Sequence, residues 1–252
     1  MPDVLPFALL WTPLSILPEI TILDVIAVAW LVFLVVGMSW YVDHGPRAEE
    51  SASGLMRVKR MVWMEEMAMR DVRIVDSGLL RGLQSGSSFF ASTSLICLGG
   101  LLAMMGQADR LAEVADSLPF AHPSGQDAFR VRLVAPISMI VFSFFKFAWA
   151  QRLFGYCAVM IGATPERRAD NEAEVLAAAR DAGQLNWLAA RSFARGLRGL
   201  YFTLGSLAFL IGPLALIASA SAVALMIHRR EFRSESRAAM LGAYGSGQRP
   251  RT

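Results

Sequence analysis

Four long apolar runs constrain this chain more than any other feature. A helix needs about 20 mostly apolar residues to cross the hydrocarbon of a bilayer. The first run, 20–40, carries one charge, Asp24, near its start. The second, 86–106, carries none. The third, 133–163, is interrupted by Lys146, Gln151 and Arg152. The fourth, 199–227, is uncharged but broken by Gly212-Pro213. Averaged over 252 residues the excess looks mild, at 55% hydrophobic and 18% charged, against about 45–50% and about 25% in soluble domains. Its clustering excludes an ordinary soluble globule, and its hydrophobicity excludes a disordered chain. The pattern therefore predicts an all-α, polytopic membrane helix bundle of about four transmembrane helices, with amphipathic helices on the cytoplasmic side. The bilayer is the first partner this implies.

Residues 1–19 hold no Lys or Arg but contain Pro2, Pro6, Pro13 and Pro18. A cleaved signal needs a basic n-region, so the first run reads as retained. Residues 4–17 read as lying at the membrane interface. The single membrane domain is expected over 20–234, followed by a basic flexible tail, 235–252.

Lys and Arg favour the cytoplasmic side of a membrane. Seven lie in 43–84, three in 107–132, six in 165–198 and six from 228 onward. Four simple crossings with the N-terminus outside put thirteen of these inside and nine outside. The basic tail then lies on the wrong side. A fourth run that turns back at Gly212-Pro213 as a re-entrant hairpin puts nineteen inside and three outside. Such a hairpin requires other protein to shield its backbone. A single long, kinked fourth helix is the competing reading.

Between the runs, residues 55–83 read as one long amphipathic helix. Val58, Met61, Val62, Met69, Val72, Val75, Leu79 and Leu83 recur at spacings of three and four. Arg57, Arg60, Arg70, Arg73, Asp76 and Arg81 alternate with them. Such a face suits anionic lipid headgroups or packing on the bundle. Residues 166–198 form a second polar helix, acidic first and basic last as the helix dipole favours. It can continue straight into the fourth run.

Lys146 is the residue most in need of a reason, because a charge at membrane depth is costly and faces the bundle interior or a wet cavity. Ser92, Thr93 and Ser94 fall at a similar expected depth and have oxygens for an ammonium. The functional reading is a polar path that binds an anion or moves a proton; the plain one is a Lys that snorkels or donates to nearby oxygens. In RDVRIVD, Arg70 and Arg73 share a helix face, Arg73 reaches Asp76 at i,i+3, and Asp71 lies elsewhere. This stretch reads as an ion-pair latch, a headgroup site or a solvated face. Arg152, Arg229, Arg230 and Glu231 complete the polar residues next to apolar runs. Phe89–Ser94, extended by Gly99-Gly100, reads as a small-residue face for close helix packing.

Neither metal nor cofactor is expected. Met61, Met64, Met67 and Met69 read as a greasy helix face. His44, His122 and His228 lack ligand spacing, and Cys97 and Cys157 sit inside apolar runs. The sequence contains no P-loop, Gly-x-Ser-x-Gly, HExxH or CxxC. Basic residues interleaved with apolar runs argue against nucleic acid.

Three stretches together resemble the bacterial integral membrane family catalogued as domain of unknown function 599. They are MAMRDVRIVDSGLLRGLQSGSSFFASTSLICLGGLLAMMG at 67–106, RLFGYCAVMIGATPE at 152–166, and LYFTLGSLAFLIGPLALIASASAVALMIHRREFRS at 200–234. An Asn often follows the first Arg-Asp pair in such proteins; here it is Val72. The resemblance implies a multi-pass protein of the bacterial inner membrane with about four helices and carries no activity. Function therefore rests on the residues. The first expectation is a non-enzymatic accessory or scaffold protein that packs against membrane partners or a second copy of itself. The second is a small transporter or channel with a polar path at Lys146 and Ser92–Ser94. The third is a membrane-surface enzyme acting on a phosphorylated lipid through Asp71, Asp76 or Glu231.

Overall fold

A computed structural model describes residues 13–14, 17–116 and 126–242. The described chain is all-α apart from a short antiparallel pair, β1 (Pro13–Leu14) and β2 (Leu17–Thr21). The helices are α1 (Ile22–His44), α2 (Ala52–Ala68), α3 (Ile74–Gly106), α4 (Ala108–Asp116), α5 (Gln126–Ala163), α6 (Glu172–Ser206), α7 (Pro213–Phe232) and α8 (Glu235–Met240). Most of residues 4–17 and all of the tail beyond 242 lie outside the described residues. Within the tail expected to be flexible, Glu235–Met240 is helical, and Arg237 Nε donates to the carbonyl of Glu50 at 2.6 Å.

Among the described residues three helices are long and apolar enough to cross a membrane: α1, α3, and α5 from Asp127. The fourth run is neither one straight span nor one kinked helix. It is divided between the end of α6, a 3-10 turn at Leu207–Leu210, and α7. Pro213 opens α7, where its missing amide costs nothing. The two arms are closely apposed. Ser219 Oγ donates to the Gly205 carbonyl at 2.7 Å, and a methyl added at Gly205 would sit 3.0 Å from Val223. The 166–198 stretch does continue into the apolar run, giving the 35-residue α6.

The chain divides into two compact units. The first contains Met1–Met38, Ser94–Phe142 and Arg198–Ile227. In it Ala27, Leu31 and Val35 of α1 and Leu216, Ala220 and Ala224 of α7 each form an i,i+4 stripe, and the two stripes meet with Phe202 and Phe209 in one core. A second cluster gathers Leu101, Ala108, Ala112, Phe129, Leu133 and Ile140. Asp24 and Arg132 are buried in this unit as an ion pair, Arg132 Nε to Asp24 Oδ1 at 3.1 Å. Pro136 within α5 offers no amide to the carbonyl of Arg132 one turn earlier.

The second unit contains Ser39–Thr93, Ser143–Leu197 and His228–Thr252. Its core joins Met64 and Met67 of α2 and Leu80 of α3 to Leu153, Phe154, Cys157 and Ile161 of α5 and Ala182 and Ala189 of α6. The expected single helix over 55–83 is two helices. Met69 and Arg70 donate to the Glu66 and Met67 carbonyls and close α2 with tight turns. The apolar face also differs: Val58, Val62, Val72, Val75 and Leu79 are exposed, whereas Met64, Met67 and Ala68 are buried. A period of 3.6 holds only along one continuous helix, and the break at 69–73 resets the phase.

The glycine extension of the small-residue patch, Gly99-Gly100, does not mediate close packing as expected. A methyl at Gly99 or Gly100 would meet nothing within 4 Å. Close approach occurs instead at Gly196, where an added methyl would fall 2.8 Å from the Phe147 ring.

Candidate functional site

The polar side chains of the second unit fall into three groups. At the break between α2 and α3, Asp76 is fully buried in the first turn of α3, where a carboxylate suits the helix dipole. Its Oδ1 accepts from Trp63 Nε1 and from Arg70 Nη1, both at 2.7 Å. Arg73 does not reach back to Asp76. It donates to the carbonyls of Thr164 and Pro165 at 2.7 and 2.9 Å, just past the end of α5, where helical carbonyls lack partners. Of the three readings of RDVRIVD, the geometry has the form of a latch: Arg70 and Asp76 bracket the turn, and Arg73 ties it to α5. Asp71 is exposed.

The second group joins α2 to α6 and α7. Arg60 donates a short hydrogen bond to Asn186 Oδ1, and Asn186 Nδ2 approaches Cys157 Sγ at 3.8 Å. Among the described residues no carboxylate pairs with Arg60, and its Nε is buried without a hydrogen-bond partner. Burial pulls the Arg60 guanidinium below its usual pKa, and Cys157 opposes the shift. Glu65 pairs with Arg180 at 2.9 Å. Glu231 accepts from the Ser53 amide and hydroxyl.

The third group centres on Asp43, near the C-terminal end of α1. Its buried carboxylate takes Arg195 Nε at 2.6 Å and Arg191 Nε at 3.8 Å. Lys146 of α5 lies under the charges of the same two arginines, and its carbonyl accepts from Ser192 Oγ at 2.8 Å. Beside it Phe90, Phe147 and Phe193 pack ring against ring with centroids 5.3–5.6 Å apart. Sequence reasoning singled out Lys146 but not Asp43, Arg191 and Arg195. A signal existed: an Asp in the last turn of a helix opposes the dipole and asks for cations, and Arg191 and Arg195 stand at i,i+4 on one face.

The remaining residues scatter. Ser92 is exposed, Thr93 half-buried and Ser94 buried, with Ser94 in the first unit and the other two in the second. Arg152 is exposed and donates to Tyr156 Oη at 2.6 Å. Arg229 and Arg230 are exposed in the last turn of α7, where cations suit the helix dipole.

A family model described as protein of unknown function, DUF599, matches residues 26–236. The chain belongs to the DUF599 family. The match spans α1 through the start of α8 and thus includes all three polar groups. No curated protein and no solved structure matches this DUF599 chain. With three helices long and apolar enough to cross a bilayer, this DUF599 member is a membrane protein.

Proposed function

We propose that this DUF599 protein is a sided, multi-pass protein of the bacterial cytoplasmic membrane that acts as a non-enzymatic accessory or scaffold, holding a membrane partner or a second copy of itself. The observation that carries the reading is how its charges are spent. Asp43, Asp76, Glu65 and Glu231 each engage a donor from another helix or from across a turn. Carboxylates used to lock helices together are poorly placed to turn over a substrate. Sidedness follows from the arginines and lysines: nineteen lie in 43–84, 165–198 and 228–252, against three in 107–132. That asymmetry favours a cytoplasmic side for these three stretches, with exposed Arg57, Lys59, Arg229 and Arg230 facing anionic headgroups. Cross-linking in native membranes followed by extraction into nanodiscs tests the reading. Specific adducts to another membrane protein or a second copy are expected; a strictly monomeric particle without adducts overturns it.

A second reading rests on Lys146. It lies under the charges of Arg191 and Arg195, and cations gathered in this way suit a transported anion. Lys146→Met in proteoliposomes separates the two: lost anion flux with retained folding supports transport, and lost folding without a flux defect supports a structural lysine.

A further inference from the structure

Within the second unit, two arginines of α2 reach adjacent residues of α6. Arg57 and Arg60 stand at i,i+3, on one face of the helix. The Arg57 guanidinium lies over the Trp187 ring, 5.8 Å from its centroid. Arg60 Nη1 donates to Asn186 Oδ1. Trp187 and Asn186 are both buried, so each guanidinium is held against a fixed wall of α6.

Neither anchor carries a charge. Arg195 of the same unit is held by the Asp43 carboxylate, which both positions and neutralises it. An indole face and an amide oxygen position an arginine without neutralising it. Among the described residues Arg57 and Arg60 form no ion pair. The acids of neighbouring sequence are engaged elsewhere, Glu50 with Arg47 and Glu65 with Arg180. Like charges this close repel, so the pair has a cost that an anion would remove. Donors also remain open. Arg57 is exposed and makes no hydrogen bond among the described residues. Arg60 is half-buried; it uses Nη1 on Asn186, its Nε is enclosed, and its Nη2 is neither bonded nor enclosed.

We propose that Arg57 and Arg60 form a binding site for a phosphate group, positioned by Trp187 and Asn186 of α6. A guanidinium has five N–H donors. It pairs with phosphate through parallel hydrogen bonds, and it keeps its charge while stacked on an aromatic face. A tetrahedral oxyanion has enough acceptor oxygens to take donors from two guanidiniums at once. The phosphate enters from the open side of α2, meeting Arg57 first and then the accessible edge of Arg60. A lipid headgroup and a soluble phosphate ester present this same chemistry, and the test tells them apart.

The full chain in phosphate-free detergent is titrated with inorganic phosphate, and with chloride at matched ionic strength, while the melting midpoint is followed. Phosphate should raise the midpoint and chloride should not, because a ligand stabilises the folded state that binds it. Arg57→Gln should weaken the apparent phosphate affinity roughly tenfold, the scale of one lost charge-assisted pair. Arg60→Gln should do the same; if it fails to fold, Arg57→Gln, at an exposed position, carries the test alone. Arg229→Gln, an exposed arginine of α7, should leave the affinity unchanged. Native mass spectrometry of protein extracted from cell membranes separates the two sources. A retained phospholipid that Arg57→Gln loses assigns a lipid headgroup, and phosphate binding without a retained phospholipid assigns a soluble ester. Equal stabilisation by phosphate and chloride, full phosphate affinity in Arg57→Gln, or equal weakening by Arg57→Gln and Arg229→Gln overturns the proposal.

Discussion

Glu231, in the last turn of α7, caps the N-terminus of α2, 178 residues earlier in the chain. Its carboxylate accepts the Ser53 amide at 3.2 Å and the Ser53 hydroxyl at 3.0 Å, while Ser51 Oγ takes the Gly54 amide at 2.9 Å. Two side chains thus serve the open amides of one helix start, and one belongs to the C-terminal arm of the hairpin. Glu231→Ala should lower stability by ~1–2 kcal/mol, the size of a lost helix cap. Glu231→Gln, which keeps an acceptor, should lose less than half of that. Detergent-solubilised melting curves with hydrogen exchange at 52–56 check this; equal losses from both variants would show that the cap is immaterial.

The same contact bears on topology. Glu231 and Ser53 touch, so the start of α2 and the end of α7 are expected on one side of the membrane. Reporters inserted at Gly45 and after Thr252 should read the same compartment, and one inserted at Gln107 the opposite compartment. A tail reporter that agrees with Gln107 would exclude the hairpin.

Much of the fold is legible in the apolar runs, because each needs helical hydrogen bonding to enter a bilayer. Runs one to three became α1, α3 and α5, each longer than its apolar part because polar turns extend the helix. The fourth was legible only as an ambiguity: Gly212-Pro213 marks a break, and the charge asymmetry favours a return, but the closure depends on Ser219 reaching Gly205. The polar site was less legible. Asp76 was singled out, yet its partners come from Trp63 and Arg70 across a turn that residue spacing treats as continuous helix. Asp43 meets Arg191 and Arg195 through tertiary packing alone, and 152 residues separate it from Arg195.

At Gly196 α6 has little room. An added Cβ would fall 2.8 Å from two ring carbons of Phe147, a ring with no exposed surface. Because that ring is held between Phe90 and Phe193, it cannot swing away. Gly196→Ala should therefore destabilise by ~1–3 kcal/mol, as overpacking does, despite the better helix propensity of Ala. Phe147→Leu in the same chain should recover part of the loss, measured as the melting midpoint in detergent. No recovery would mean that the cost arises elsewhere.

Arg73 fixes the end of α5 by donating to two consecutive carbonyls. Arg73→Ala removes two charge-assisted hydrogen bonds and should cost ~1.5–3 kcal/mol. Arg73→Lys should recover only part, because an ammonium lacks the planar fork. Faster amide exchange at 160–168 in both variants is the specific readout, and unchanged exchange there would remove Arg73 as the tie.

Arg60 offers a prediction whose sign is set by burial. Its guanidinium pairs with no carboxylate among the described residues, bonds Asn186, and has its pKa lowered by desolvation. Arginine stays charged through any usable pH, so the effect is hidden in the native chain. Arg60→Lys exposes it, because an unperturbed Lys titrates near ~10.4 and the same burial would lower it in the folded state. At low pH the lysine is charged in both states, and folding carries the full desolvation cost. As pH rises through the lowered folded value, the folded state sheds its proton while the unfolded state keeps it. Stability then increases with pH, since the unfolded state binds more protons. The variant should be less stable than the native chain at neutral pH and should regain part of the difference towards pH ~10. Denaturant midpoints of both proteins across that range measure it. A difference that stays constant, or widens as pH rises, would show that residue 60 meets a compensating anion.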